Sequence, residues 1–154
     1  MKRRSFLKGT LAGSTVAVAV GAGLLNPRQV LAAWPKSAFE AKSVEESMNA
    51  LFGSADNQAS DAISIKAPDI AENGAVVPVS VSTSIGSTSK IAIIAEKNGQ
   101  PLACSFDLGA GTKGFVSTRI KMGKTSDVIA VVEAGGKRFS ARKNVKVTIG
   151  GCGG

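Results

Sequence analysis

From position 62 onward, apolar and polar residues alternate with a period of two. Val77, Val79 and Val81 are separated by smaller or polar residues, as are Val116, Thr118 and Ile120, and Val145, Val147 and Ile149. Successive side chains of a strand point to opposite faces, so this spacing predicts half-buried strands. Seven are expected, over 62–66, 76–82, 91–96, 102–108, 115–122, 128–133 and 139–149. Asn98-Gly99 and Gly135-Gly136 read as two-residue hairpin turns. Pro78 has no N–H to give to a ladder, so its strand is expected at an edge or a bulge. No helical stretch separates the strands, which argues against a parallel α/β sheet and for an antiparallel sandwich.

The segment before the strands has a helical period. Val44, Met48 and Leu51 share one face over 43–53. Ser43 is a natural N-cap, Glu46 completes a capping box, and Gly53 suits the left-handed position that ends a helix. Ser37 and Glu40 form a second box, which would start the helix earlier. Trp34-Pro35 is expected in the lead-in.

Residues 1–32 carry a different pattern. Lys2, Arg3 and Arg4 form a basic start, 11–25 is an apolar stretch of 15 residues, and Val30-Leu31-Ala32-Ala33 offers small residues for cleavage. The apolar stretch is short for a membrane span, which needs about 20 residues. Arg3, Arg4, Phe6 and Leu7, within Arg3-Arg4-Ser5-Phe6-Leu7-Lys8, resemble the twin-arginine signal for export of folded proteins. The expected organisation is an export signal at 1–32, one domain at 33–149 and an arm at 150–154, with the mature protein in the periplasm and free of the membrane.

Charge changes the picture only once the signal is set aside. The chain has 19 basic and 11 acidic side chains, net +8, but five of the basic residues and none of the acidic ones lie in 1–32. The remainder has 14 basic and 11 acidic side chains, net +3, which is no nucleic-acid footprint. Lys137, Arg138, Arg142, Lys143 and Lys146 cluster late in the chain. They read either as a solvated strand face or as a positive collar near the C-terminus.

Catalysis by the chain itself finds little support. There is no histidine, which removes imidazole-activated nucleophiles and the commonest metal ligand. Two cysteines cannot build a four-cysteine metal site. No phosphate-binding glycine motif is present, because Gly109-Ala110-Gly111 lacks a following helix. Asp107, Asp127 and Glu133 are scattered carboxylates. No cofactor and no metal is expected.

The chemistry that remains is that of cysteine. The chain ends Gly150-Gly151-Cys152-Gly153-Gly154. Two glycines on each side of Cys152 make a thin arm that is costly to order, with a reach on the order of 10–15 Å at about 3.3–3.6 Å per residue. A thiolate there can form disulfides, persulfides and thiosulfonates. Cys104, within Pro101-Leu102-Ala103-Cys104-Ser105-Phe106, reads as a buried inert thiol, as a disulfide partner of Cys152, or as an intermolecular or regulatory thiol.

The terminal run Val147-Thr148-Ile149-Gly150-Gly151-Cys152-Gly153-Gly154, the twin-arginine signal and the β domain together resemble the SoxY family of the periplasmic Sox thiosulfate-oxidation system. The resemblance spans the mature chain. It implies an immunoglobulin-like antiparallel β-sandwich of about seven strands with a short N-terminal helix, and a heterodimer with a SoxZ-like β subunit. It makes Cys152 the covalent attachment site for sulfur. It further implies a c-type cytochrome that conjugates thiosulfate to that cysteine, a manganese-dependent hydrolase that releases sulfate, and in some cases a sulfur dehydrogenase. The family is a substrate carrier, not an enzyme. Two other readings stay open. Ubiquitin-like carriers also end in Gly-Gly, here Gly153-Gly154, but their ATP-dependent activation is at odds with export. A non-catalytic interaction module stapled by Cys104 and Cys152 is the other.

Overall fold

In the computed structural model, residues 34–148 are described, and residues from Pro35 onward belong to one compact unit. Among the described residues, two helices precede nine strands. Helix α1 is Lys36–Glu40 and α2 is Val44–Phe52. The strands are β1 Gln58–Ala59, β2 Ile63–Lys66, β3 Ile70–Ala71, β4 Val77–Thr83, β5 Thr88–Ala95, β6 Leu102–Asp107, β7 Phe115–Ile120, β8 Ser126–Ala134 and β9 Lys137–Val147. They form a larger sheet in the order β1-β9-β8-β5-β6, with β3 also on β9, and a three-stranded sheet β2-β4-β7. The expected sandwich, mostly β and immunoglobulin-like, is the fold.

Two apolar layers hold it together. Ile91, Ile93 and Ala95 of β5 and Val128, Ala130 and Val132 of β8 face the small sheet, where Val77, Val79, Val81, Val116 and Ile120 meet them. The intervening Ala92, Ile94, Ile129 and Val131 face the opposite way, onto Ala38 and Met48 of the helices. β5 and β8 are therefore covered on both faces, and their sequences are continuous apolar runs without alternation. Each buried Ile or Val contributes about 1.5–3 kcal/mol. The small sheet has one dry face only. On its outer side the Ser80 and Ser117 hydroxyls lie 2.8 Å apart across the β4–β7 pair.

The helical boundaries show how local chemistry acts. The Ser43 side chain accepts from the Glu46 amide at 3.1 Å, and Gly53 closes α2 at φ 78°. The Glu46 carboxylate reaches back to the Lys42 amide at 3.0 Å, one residue before the box geometry expected from sequence. The Ser37 box is not used. Ser37 lies inside the separate helix α1, whose first turn hangs from the Pro35 carbonyl.

Some strand expectations change. Gly135-Gly136, at φ 57° and 75°, makes the two-residue turn that joins Ala134 to Lys137. Asn98-Gly99 does not, because it lies in a longer 96–101 loop closed by Ala95 N–H donating to the Pro101 carbonyl at 2.8 Å. β1 and β3, two residues each and parallel to β9, were not foreseen. Pro78 sits in the central strand of the small sheet. It is tolerated because the β2 pairing ends at Lys66↔Ser80, so its missing N–H faces no partner strand. The register shift at Ile93/Ile94 is a bulge on β6, with Ala103 unpaired between Leu102 and Cys104.

Removing core volume should cost more than removing a cap. Ile93→Ala is expected to destabilise by about 2–5 kcal/mol and Ser43→Ala by about 0.5–2 kcal/mol, read from urea unfolding midpoints. A larger loss for Ser43→Ala would contradict the layered core.

Candidate functional site

Cys152 and its glycines Gly150, Gly151, Gly153 and Gly154 lie outside the described residues, as do Arg3, Arg4, Phe6 and Leu7. The described chain ends at Thr148, four residues before Cys152, and the segment leading to it is termed the root. β9 ends at Val147, and both sides of that end are tied. On one side β3 lies parallel to it, pairing Ile70 with Lys146 and Ala71 with Val147. The Lys146 amide donates to the Asp69 carbonyl at 2.9 Å, and the Thr148 amide to the Ala71 carbonyl at 3.1 Å. On the other side the Thr125 hydroxyl accepts from the Val147 amide at 2.9 Å and donates to the Val147 carbonyl at 3.3 Å.

Gly74 completes the root. A Cβ there would collide with the Met122 carbonyl oxygen and lie 2.8 Å from Cγ1 of Val147. The Gly74 carbonyl accepts from the Met122 amide at 2.7 Å. A glycine is required because two other chain segments meet at this point. The chain is thus held up to Thr148, four residues before Cys152. Even at full extension those two Cα atoms are at most about 13–14 Å apart. Sequence reasoning missed Ala71, Gly74 and Thr125 as root residues. The Asn73-Gly74 turn dipeptide is the one local feature that could have pointed to them.

The late basic cluster is largely a paired, solvated face. Arg142 contacts Glu96 at 3.0 Å and Asp127 at 3.8 Å, and Lys143 contacts Asp69 at 3.0 Å. Arg138 donates to the Asp56 carbonyl at 2.9 Å. Such exposed pairs contribute little energy each, but they neutralise the cations nearest β9. Lys137 and Lys146 are exposed.

Cys104 is a free thiol on β6, an edge strand of the larger sheet. Its pair partner is Ile93, and its side chain packs, half-buried, against the core between the sheets. Burial pushes the thiol up to about 11, only partly offset by the backbone hydrogen bond at Ile93. It is protonated at neutral pH and a poor nucleophile. The scattered carboxylates have structural work. Asp107 pairs with Lys90 at 3.2 Å, Asp127 accepts from Asn144 at 2.9 Å, and Glu133 accepts from the Ser89 hydroxyl at 3.4 Å. Asp127 and Glu133 stand six residues apart on β8, about 20 Å along the strand, too far to act as a pair. Among the described residues, no three metal-ligating side chains come together.

The profile of the sulfur oxidation protein SoxY family matches residues 48–152, a range that ends on Cys152. The solved structure of the sulfur carrier protein SoxY from Chlorobium limicola f thiosulfatophilum superposes with a TM-score of 0.64 at 48% identity, covering 70% of this chain and 97% of that one. The human F-spondin reeler domain superposes with a TM-score of only 0.40 at 11% identity, over 58% of this chain and 93% of that one. Among curated proteins none matches. A family profile across the β domain and a half-identical solved structure of the same fold lead to one assignment: the chain belongs to the SoxY family, a family of sulfur-carrier subunits in sulfur oxidation.

Proposed function

We propose that this protein is a covalent carrier in periplasmic thiosulfate oxidation and that Cys152 bears the sulfur. The observation that carries this reading is the match of the SoxY profile up to residue 152, on a chain whose last strand ends in a fixed root four residues earlier. The Cys152 thiolate and thiosulfate join through an S–S bond to give Cys–S–S–SO3−, with two electrons passed to a c-type cytochrome partner. Water then cleaves the bond between the sulfonate and the sulfane sulfur in a manganese-dependent hydrolase. Sulfate and two protons leave, and a persulfide stays on Cys152. A sulfur dehydrogenase, where present, oxidises that sulfur. The second subunit is a SoxZ-like β protein. The twin-arginine signal at Arg3 and Arg4 supports export of the folded pair.

The division of labour between the two thiols supports the same reading. Cys104 is kept uncharged between the sheets, so electrophiles in solution are left to the terminal cysteine. The fixed root makes the rest of the chain a rigid handle. Only the residues after Thr148 need enter a partner's channel, and glycines add no side-chain width there.

Cys152→Ser should leave the unfolding midpoint and subunit pairing unchanged while abolishing the mass added by thiosulfate loading. Retained loading would place the chemistry elsewhere. At pH 8, Cys104 should react with a disulfide reagent at least about tenfold more slowly than an unshifted thiol, since the lost thiolate fraction outweighs its gain in nucleophilicity. Its rate should climb with pH towards about 11. Because folding raises this pKa, the stability it confers is present below 9.0 and fades as pH rises towards about 11. Two equally fast thiols at pH 8 would refute that assignment. Gly74→Ala should slow turnover with the partner enzymes, by displacing Val147 at the root, while Cys152 still reacts normally with a small reagent. Equal losses in both assays would show that the root does not serve delivery.

A further inference from the structure

A cleft of about 730 Å³ opens at the end of the sandwich where the arm departs, between the β5–β6 loop and the β7–β8 loop. Four cations line it: Lys97, Arg119, Lys121 and Lys124. No carboxylate is among its lining residues. Arg142 and Lys143 on β9 are each paired with an acid, whereas none of these four makes an ion pair among the described residues. A folded chain of modest net charge has thus gathered unneutralised cations in one concavity. The four cations are solvent-exposed, and Phe39 and Leu102 provide an apolar wall that lowers the dielectric on one side of them.

The cleft is built and not an accident of loose loops. The Asn98 carboxamide bridges them, donating to the Lys121 carbonyl at 2.7 Å and accepting from the Gly123 amide at 2.9 Å. This pair of bonds sets the separation of Lys97 from Lys121 and Lys124. The next residue, Thr125, is the one whose hydroxyl holds Val147 at the arm root. The cleft and the root are therefore one chain step apart.

We infer that this cleft binds a sulfur oxyanion, and specifically the −SO3− end of a thiosulfonate or the chemically equivalent free thiosulfate or sulfate ion. The identity of the anion rests on the carrier reading, while the anion site rests on the cleft alone. Up to four N–H-bearing cations match an oxyanion with several acceptor oxygens. Cys152 lies at most about 13–14 Å from Thr148, and Thr148 is next to the residue bonded by Thr125, so a sulfonate on the arm is within range. A persulfide, once sulfate has been lost, has no such oxygens and is released from the cleft. Binding would distinguish the two states of the arm by the number of acceptor oxygens and by shape.

The test follows backbone and Asn98 side-chain amide resonances of the whole mature protein. In one arm, Cys152→Ser is titrated with sodium thiosulfate and sodium sulfate against chloride at equal ionic strength. In the other, the wild-type thiolate is treated with tetrathionate, which transfers −S–SO3− to Cys152 and releases thiosulfate. The spectrum is recorded after small ions are removed. Saturable shifts at Asn98, Gly99 and Gly123 in the first arm support a site open to free anions. Shifts in the second arm alone support a site for the loaded arm. Replacing Lys97, Arg119, Lys121 and Lys124 by Gln should weaken either response at least about tenfold, equivalent to about 1.4 kcal/mol, with the fold retained. A response equal to that of chloride, one untouched by the four replacements, or none in either arm overturns the inference. The first arm needs no sulfur loading, so its failure leaves the carrier reading intact. Failure of Cys152 to load leaves the cleft testable.

Discussion

Burial of β5 and β8 on both faces is the constraint on which the molecule depends. One set of their side chains meets the small sheet and the alternate set meets the helices. With both faces dry, these strands cannot slip in register without placing an apolar row opposite the wrong layer. β9 is fixed because it pairs with β8 along nine residue positions, from Ser126↔Val145 to Ala134↔Lys137. The end of β9, and with it the arm root, takes its position from that core.

The two cysteines differ in how the fold treats them. Cys104 is held in an apolar edge environment that keeps its proton. Cys152 follows a run of backbone whose last described bonds, to Ala71 and Thr125, stop at Thr148. The cations around Asn98, which make no ion pair among the described residues, lie at the same end of the domain.

The sequence made the sandwich legible because Val77-Val79-Val81 and its counterparts alternate, and because Ser43, Glu46 and Gly53 carry their own capping geometry. It was less clear wherever tertiary contact decides. β1 and β3 are two residues long and exist only because β9 offers its edge, which no local period announces. Asn98-Gly99 has the composition of a tight turn, but the Asn98 side chain is used to tie two loops together instead. The basic residues of β9 read equally as a collar or a solvated face until their acidic partners from distant segments, Asp69, Glu96 and Asp127, are placed beside them. The cleft cations are spread over 97–124 and meet only through the fold. The terminal pentapeptide lies outside the described residues, and the reading of Cys152 rests on its local sequence alone.

The most direct measurement is the mass of the C-terminal peptide, taken without reductant, from protein isolated from periplasm of thiosulfate-grown cells. The account predicts sulfane or thiosulfonate adducts on Cys152 that are lost on reduction. A peptide found only as a disulfide to Cys104, or one modified at the Gly154 carboxylate, would contradict it.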